Sequence, residues 1–318
     1  KAEKFEQARL QYAVLMQLYG SEDLYMSRML RYFMRIDNLR EVLLLKSHFT
    51  DKKRMNLDAP DLIELGGYLL NKLYGTLPPS DEYLRSYIED LRSLLEQAIQ
   101  EAPQYPEPYY NLARYFVEAN TRNSAKTLLE TAIQKFEDAT KKSHTRILNQ
   151  IDCYRMLGEI YSEEREYILA ENNYASGIQL YEKEAENSGL KSDEKIGKLY
   201  ANMGDIDYFI SGDMDYALKN YSLAINNEYD TPSVRYRVGY VQYSKGNYTE
   251  ALGSFIKTAS EKTKDHNVLL ALGNVLALRS DNFAAQGYYE RLITILDNER
   301  ERYGVLFPQI REDQGEIV

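Results

Sequence analysis

The chain has 318 residues, 44% hydrophobic and 28% charged, and no long uncharged apolar run, which excludes a membrane-spanning helix. Its formal net charge of −10 argues against nucleic acid as the main ligand, because phosphate binding needs a basic surface. A single cysteine, Cys153, precludes an internal disulfide and leaves the compartment open between cytoplasm and periplasm.

The charge is uneven. Residues 1–54 hold eleven Lys/Arg against seven Asp/Glu, a net +4, so the remainder carries −14. There are 29 Tyr and no Trp. Tyr buries a ring while keeping its hydroxyl wet, which suits half-exposed packing between thin layers.

In chain order, residues 3–19 read as one helix, and 23–34 with 38–48 as a helical hairpin. Pro60 opens the next helix, while Pro78, Pro79 and Ser80 mark an insertion before its partner. Pro103, Pro106 and Pro108 lie between helices, and Pro232 starts another. Between the prolines, apolar residues recur at helical spacing with no sustained strand-type alternation, so the chain reads as all-α. Residues 233–244 predict a helix, Gly246 and Asn247 a turn, and 249 onward a second helix. Gly239 is expected to be small because the second helix crosses there, with Ala251 small for the reciprocal reason and Phe255 filling space further along.

That unit recurs. Tyr109, Leu112, Ala113 and Phe116 are followed by Ala125, Leu129 and Ala132; Tyr154, Leu157, Gly158 and Tyr161 by Ala170, Tyr174 and Gly177. Tyr200, Met203 and Gly204 lead to Ala217, Tyr221 and Ala224 with one extra turn residue. Gly239 is followed by Ala251 and Phe255, and Gly273 by Ala285 and Tyr289. An earlier unit has Leu62, Leu65, Gly66 and Leu69, then Leu91, Leu95 and Ala98. The unit at Gly239 departs at two slots, with Arg235 and Gln242 where aromatics are usual. Two long periods carry polar extensions, expected to lengthen second helices and add a loop.

These residues resemble the tetratricopeptide repeat, in which a first helix carries a large residue, Leu-Gly and Tyr, and a second carries Ala, an aromatic and Ala. The resemblance implies a right-handed superhelical α-solenoid of helical hairpins. Residues 1–57 are expected to form a divergent N-terminal hairpin, 58–298 an array of about six hairpins, and 299–318 an extension leading into a further repeat. The Tyr-rich, acidic, irregularly spaced texture is similar to that of spirochaete periplasmic proteins of the flagellar-motor collar. That likeness implies a periplasmic structural role in motility; without it the cytoplasm is the default.

Chemistry has little support. His48, His144 and His266 stand apart, no Cys/His spacing makes a zinc site, and the glycines occur singly. Cys153 lies near Asp152 and Glu159, a field opposed to a reactive thiolate, and reads as packing. No catalytic residue, cofactor or metal is expected.

In the family the first helices line a concave groove. The corresponding positions here are Tyr110, Arg114 and Val117; Arg155, Glu159 and Ser162; Ala201, Asp205 and Tyr208; Tyr236, Tyr240 and Tyr243; and Leu270, Asn274 and Ala277. The early set is charged and the late set aromatic. Candidate partner-binding residues are therefore Asp205, Tyr208, Tyr236, Tyr240, Tyr243, Leu270 and Asn274, though tyrosines at this spacing also pack against neighbouring repeats. A second candidate is a basic stripe of Arg28, Arg31 and Arg35, followed by Lys52, Lys53 and Arg54. Such a stripe suits an acidic partner or another copy of the chain. Arg155, Asn202 and Arg237 fill slots that clamp a peptide carboxylate in some relatives, but Glu159 and Ser233 depart from that pattern. The expectation is a non-enzymatic protein-interaction scaffold. A short-peptide co-chaperone or targeting receptor, and a regulatory module of a larger enzyme, are the alternatives.

Overall fold

The computed structural model describes residues 10, 11, 14, 18, 23–51, 54, 55, 57–75, 82–140 and 143–306. Most of the expected helix over 3–19, the Pro78–Pro79–Ser80 insertion, Lys52, Lys53 and residues 307–318 lie outside them. The chain divides into two compact units, Lys1–Ile160 and Tyr161–Val318.

In the first unit, α1 (Asp23–Arg35) and α2 (Leu39–Phe49) form the expected N-terminal hairpin. Met26, Met29, Leu30, Phe33 and Met34 recur at helical spacing, and all are buried. The chain reverses at Asp37, which takes a left-handed φ of 60°. A ribbon of two residues per strand follows, β1 (Thr50–Asp51) pairing antiparallel with β2 (Arg54–Met55). Strands this short leave no alternation in the sequence, and the architecture remains all-α.

Helices α3 (Ala59–Gly75) and α4 (Glu82–Glu101) pack through Leu62, Leu65 and Leu69 against Leu91, Leu95 and Ala98, all essentially inaccessible. A hairpin of α5 (Pro106–Glu118) and α6 (Arg122–Asp138) stacks on them. Pro106 opens α5, where a missing N–H costs nothing. Helix α7 (His144–Glu163) has 20 residues. Much of the preceding polar extension therefore lengthens a first helix, contrary to the expectation that second helices absorb it. Cys153 is fully buried on α7, as a packing residue.

The second unit contains α8 (Tyr167–Ser188), α9 (Glu194–Ile206), α10 (Met214–Asn226), α11 (Pro232–Ser244), α12 (Tyr248–Glu261), α13 (His266–Leu278) and α14 (Asn282–Leu306). Each packs on the next, and α11 also touches α13, so consecutive hairpins stack first helix on first helix. With 22 residues, α8 takes up the other polar extension as a longer second helix.

Turns between paired helices use a left-handed residue. Gly246 supplies it at φ 80°, as expected, but Asn120, Arg165 and Ser280 do the same without being glycine. A steric rule based on glycine finds only the first of these.

The small slots work differently from the expectation. A Cβ on Gly239 would stand 2.7 Å from the Phe255 ring, and one on Gly204 would stand 2.8 Å from Tyr221. Phe255 therefore lies directly on Gly239 rather than further along. The glycine makes room for the aromatic of the second helix.

Two irregular positions find their reasons. Arg235, in an aromatic slot, is buried, and its guanidinium donates to Asp230 Oδ1 (2.6 Å), the Asp230 carbonyl (3.0 Å) and Glu261 Oε1 (2.7 Å). It ties the base of α11 to α12 and to the preceding loop. The extra residue between Gly204 and Ala217 is taken up as a π-helical segment, Asp207–Ser211, continuing α9. One inserted residue widens a helical turn in this way.

Candidate functional site

The first-helix face of the second unit carries the expected aromatic residues. Tyr236, Tyr240 and Tyr243 stand on α11 at spacings of four and three, so they share one side of the helix. Ring centroids of Tyr236 and Tyr240 lie 6.0 Å apart, as do those of Tyr240 and Tyr243. Tyr208, in the π-helical segment, meets Tyr240 edge-on at 6.2 Å. At the other side Tyr236 leans on Phe255 at 5.6 Å, and Tyr243 on Tyr248 at 5.9 Å.

Beside this row is an open cavity of about 240 Å³ between α11 and α13. Five expected residues line it: Tyr236, Tyr240, Tyr243, Leu270 and Asn274. Phe255, Asn267 and Ala271 complete the wall. Tyr240 is 41% exposed and Leu270 44%, so both present apolar area to solvent. A neighbouring cavity of about 330 Å³ shares Tyr236 and Asn267 and reaches Lys262 and Asp265. Asn267 was not expected, although 267, 270 and 274 repeat at the helical spacing that links Leu270 to Asn274.

The hydroxyls divide into two groups. Framework tyrosines on second helices are satisfied: Tyr221 donates to Asp205 at 2.7 Å, and Tyr289 donates to Asn274 Oδ1 at 2.8 Å. Burial and the adjacent Asp205 carboxylate push the Tyr221 phenol well above its ordinary value. By contrast, the hydroxyls of Tyr208, Tyr236, Tyr240 and Tyr243 bond to no other described residue. Burial raises the Tyr236 phenol, with the Tyr240 phenol adding to the rise.

Asp205 and Tyr208 do not line the cavity, although Tyr208 touches Tyr240 of its wall. Asp205 is held by Arg237 at 3.0 Å as well as by Tyr221. Burial nevertheless raises the Asp205 carboxyl above its ordinary value, and the two partners only reduce the shift.

Several expected groove positions are not available. Tyr110 is buried, donates to Asp152 Oδ2 at 2.8 Å and packs edge-on against Phe136; it is a core residue. Ala201 is buried as well. Arg155 lies between Asp152 (2.7 Å) and Glu159 (2.5 Å), so its charge is neutralised inside its own helix. With Arg237 paired to Asp205, the two cations of the imagined carboxylate clamp are both already engaged.

The basic stripe needs a similar correction. Arg31 is bonded to the fully buried Asp61 and lies 3.9 Å from Asp58. It therefore pins α1 to α3. Arg28 and Arg35 remain exposed, Lys52 and Lys53 lie outside the described residues, and only the backbone of Arg54 is described, in β2.

Among the described residues, no group of three or more His, Cys, Asp or Glu is placed to hold a metal ion, and no helix is long and apolar enough to cross a membrane.

No protein-family model and no curated protein matches the chain. Solved structures do. A Pseudomonas aeruginosa PilF structure is 14% identical over 81% of this chain and 99% of its own, with a TM-score of 0.53. The C-terminal part of a TPR repeat-containing protein from Cytophaga hutchinsonii is 17% identical over 76% of this chain and 81% of its own, at 0.50. The Cut9–Hcn1 hetero-tetramer of the APC/C is 15% identical over 90% of this chain but only 49% of the matched chain, at 0.52. At such identities the likeness speaks for the fold alone, and it agrees with the repeated hairpins, the Gly–aromatic crossings and the left-handed turns: the chain has the all-α fold of the tetratricopeptide-repeat proteins.

Proposed function

We propose that the chain is a non-enzymatic protein-interaction scaffold whose partner site is the first-helix face of α9, α11 and α13. The carrying observation is the cavity beside Tyr236, Tyr240 and Tyr243, with exposed ring and leucine area and hydroxyls that no described residue uses. Tyr and a central apolar contact are the residue types that dominate binding energy at protein interfaces. The Cut9–Hcn1 hetero-tetramer is a protein of this fold that assembles with another chain, which is in keeping with the reading.

A finer form gives the chain a structural place in a large assembly such as the spirochaete flagellar collar; only the texture of the sequence speaks for it. A receptor for an acidic peptide terminus is disfavoured, since Arg155 and Arg237 are each paired to carboxylates. Regulation of a larger enzyme would use the same face. A net charge of −10 opposes nucleic acid, and self-association would have to pair the +4 of residues 1–54 with the −14 of the remainder.

The test is in-cell crosslinking from a photo-reactive residue at position 240, with a control at exposed Ile256 on α12. A discrete adduct from 240 alone is expected. Adducts from 256 alone would move the working surface to the second helices.

A further inference from the structure

Two exposed apolar surfaces lie apart from the first-helix face. The first is in the second unit, at the α7–α8 and α9–α10 turns. Every residue from Phe209 to Tyr216 is exposed, because the widened π-helical turn leaves the packing of α9 and burial resumes only at Ala217. Phe209 is 64% exposed, and Ile210, Met214 and Tyr216 are exposed with it. Ile168, 76% exposed, stands in the first turn of α8, which packs on α9. Three residues further along the same side of α8, Glu171 is close enough to act on Asp207 of the π-helical segment. Burial raises the Asp207 carboxyl and the Asn220 amide restrains it, while the charges of Asp213 and Glu171 add to the rise. The two turns therefore make one patch. It is acidic as well as apolar: residues 163–171 and 207–216 hold seven Asp/Glu against one Arg, a net −6, and Lys245 offsets one of these by bonding Asp215. Exposed apolar side chains within a polar rim mark an interaction site.

The second surface is near the start of the chain. Leu10, Gln11, Val14 and Leu18 are helical, and the three apolar residues follow at spacings of four, so they share one side. They are 61%, 52% and 69% exposed. From Leu10 to Leu18 the stripe runs about 12 Å along the helix, at about 1.5 Å per residue. Its segment has the opposite sign to the patch. Lys1, Lys4 and Arg9 against Glu3 and Glu6 precede the stripe, and residues 1–54 as a whole carry +4. Charge decides which surfaces can pair. Patch on patch brings two acidic rims together, and stripe on stripe joins two basic segments; like charges oppose both. Stripe on patch joins apolar to apolar with opposite signs around the contact.

We infer that the chain self-associates head to tail, the Leu10–Val14–Leu18 stripe of one copy docking on the patch of Ile168, Phe209, Met214 and Tyr216 of the next. The two surfaces differ and each copy carries one of each, so the contact is heterologous and builds a ring or an open chain of copies. The inference does not rest on the proposed use of the first-helix face.

The experiment is sedimentation velocity of the whole chain over a range of protein and salt concentrations. The unmodified chain is expected to grow past the dimer as its concentration rises, and to shrink as salt screens the charge pairing. Val14→Asp in the stripe and Phe209→Asp in the patch each put a carboxylate into the apolar contact, and each should weaken association about tenfold to a hundredfold. Both positions are exposed, so the fold should survive, which circular dichroism checks; Ile168→Asp repeats the patch test from a second helix. Mixing the two variants is the sharper arm. The Phe209→Asp chain keeps its stripe and the Val14→Asp chain keeps its patch, so an equal mixture should form a dimer and stop there. A chain that is monomeric at every concentration, an assembly indifferent to both patch substitutions, or a mixture that stays monomeric would overturn the inference.

Discussion

The ring of Tyr289 occupies the space that a side chain on Gly273 would need: a Cβ there would stand 2.4 Å from Tyr289 Cε1. Gly66 meets Leu95 and Gly239 meets Phe255 in the same way, each at 2.7 Å. In each of these pairs a glycine on a first helix receives the large residue of its partner. Gly273→Ala and Gly239→Ala should therefore destabilise the chain by about 1–3 kcal/mol, as overpacked cores do. Gly253 and Gly287 lie in second helices with nothing within 4 Å of an added Cβ. Their alanine variants should gain about 0.5–1 kcal/mol from helix propensity. Chemical denaturation of the four variants checks the contrast in sign.

Arg31→Ala should cost about 3 kcal/mol, because it leaves the carboxylate of Asp61 buried without its cation. One oxygen of that carboxylate already lacks a hydrogen bond among the described residues. Arg28→Ala and Arg35→Ala, at exposed positions on the same helix, should stay within about 0.5 kcal/mol. Equal effects for the three would return Arg31 to the surface stripe.

Two aspartates should respond to acid with opposite signs. Burial raises Asp205, so the folded state takes up its proton before the unfolded chain does. This group therefore adds stability as pH falls from above its folded value toward its ordinary 3.8. Burial pushes Asp230 upward too, but hydrogen bonds from Lys257 and Arg235 outweigh it and hold the carboxyl low. Its contribution is complete above the ordinary value and is lost as pH falls through the folded one. Stability measured against pH should show Asp205→Asn removing a gain on acidification and Asp230→Asn removing a loss.

Deleting Ile210 should convert the π-helical segment to ordinary helix and restore the spacing of the other hairpins. Ile210 is 46% exposed, so little packing goes with it. Stability should change by less than about 2 kcal/mol, since a single-residue bulge is absorbed locally. Deleting Val238 from the middle of α11 shifts every later contact of that helix and should unfold the hairpin. Circular dichroism of the two deletions distinguishes them. Because Tyr208 sits in the segment, the Ile210 deletion also moves its ring relative to Tyr240.

The all-α class, the hairpin order and most helix ends were legible in the residues, because helical periodicity and proline are local signals. Positions 233–244 became Pro232–Ser244, and 23–34 became Asp23–Arg35. The tyrosine row on α11 was legible for the same reason, since residues four and three apart in a helix share a face.

What the tertiary structure decided is who meets whom. The identical one-letter signal of an arginine became an exposed side chain at Arg28, a pin between helices at Arg31 and a buried tie at Arg235. Likewise Tyr110 entered the core while Tyr236, in the corresponding slot of another hairpin, stayed half-buried at the cavity wall. Whether a hydroxyl is spent or free depends on an acceptor supplied from elsewhere in the chain, Asp152 for Tyr110 and Asp205 for Tyr221. Periodicity fixes the face on which a side chain stands; the neighbour brought against that face fixes its energy and its availability.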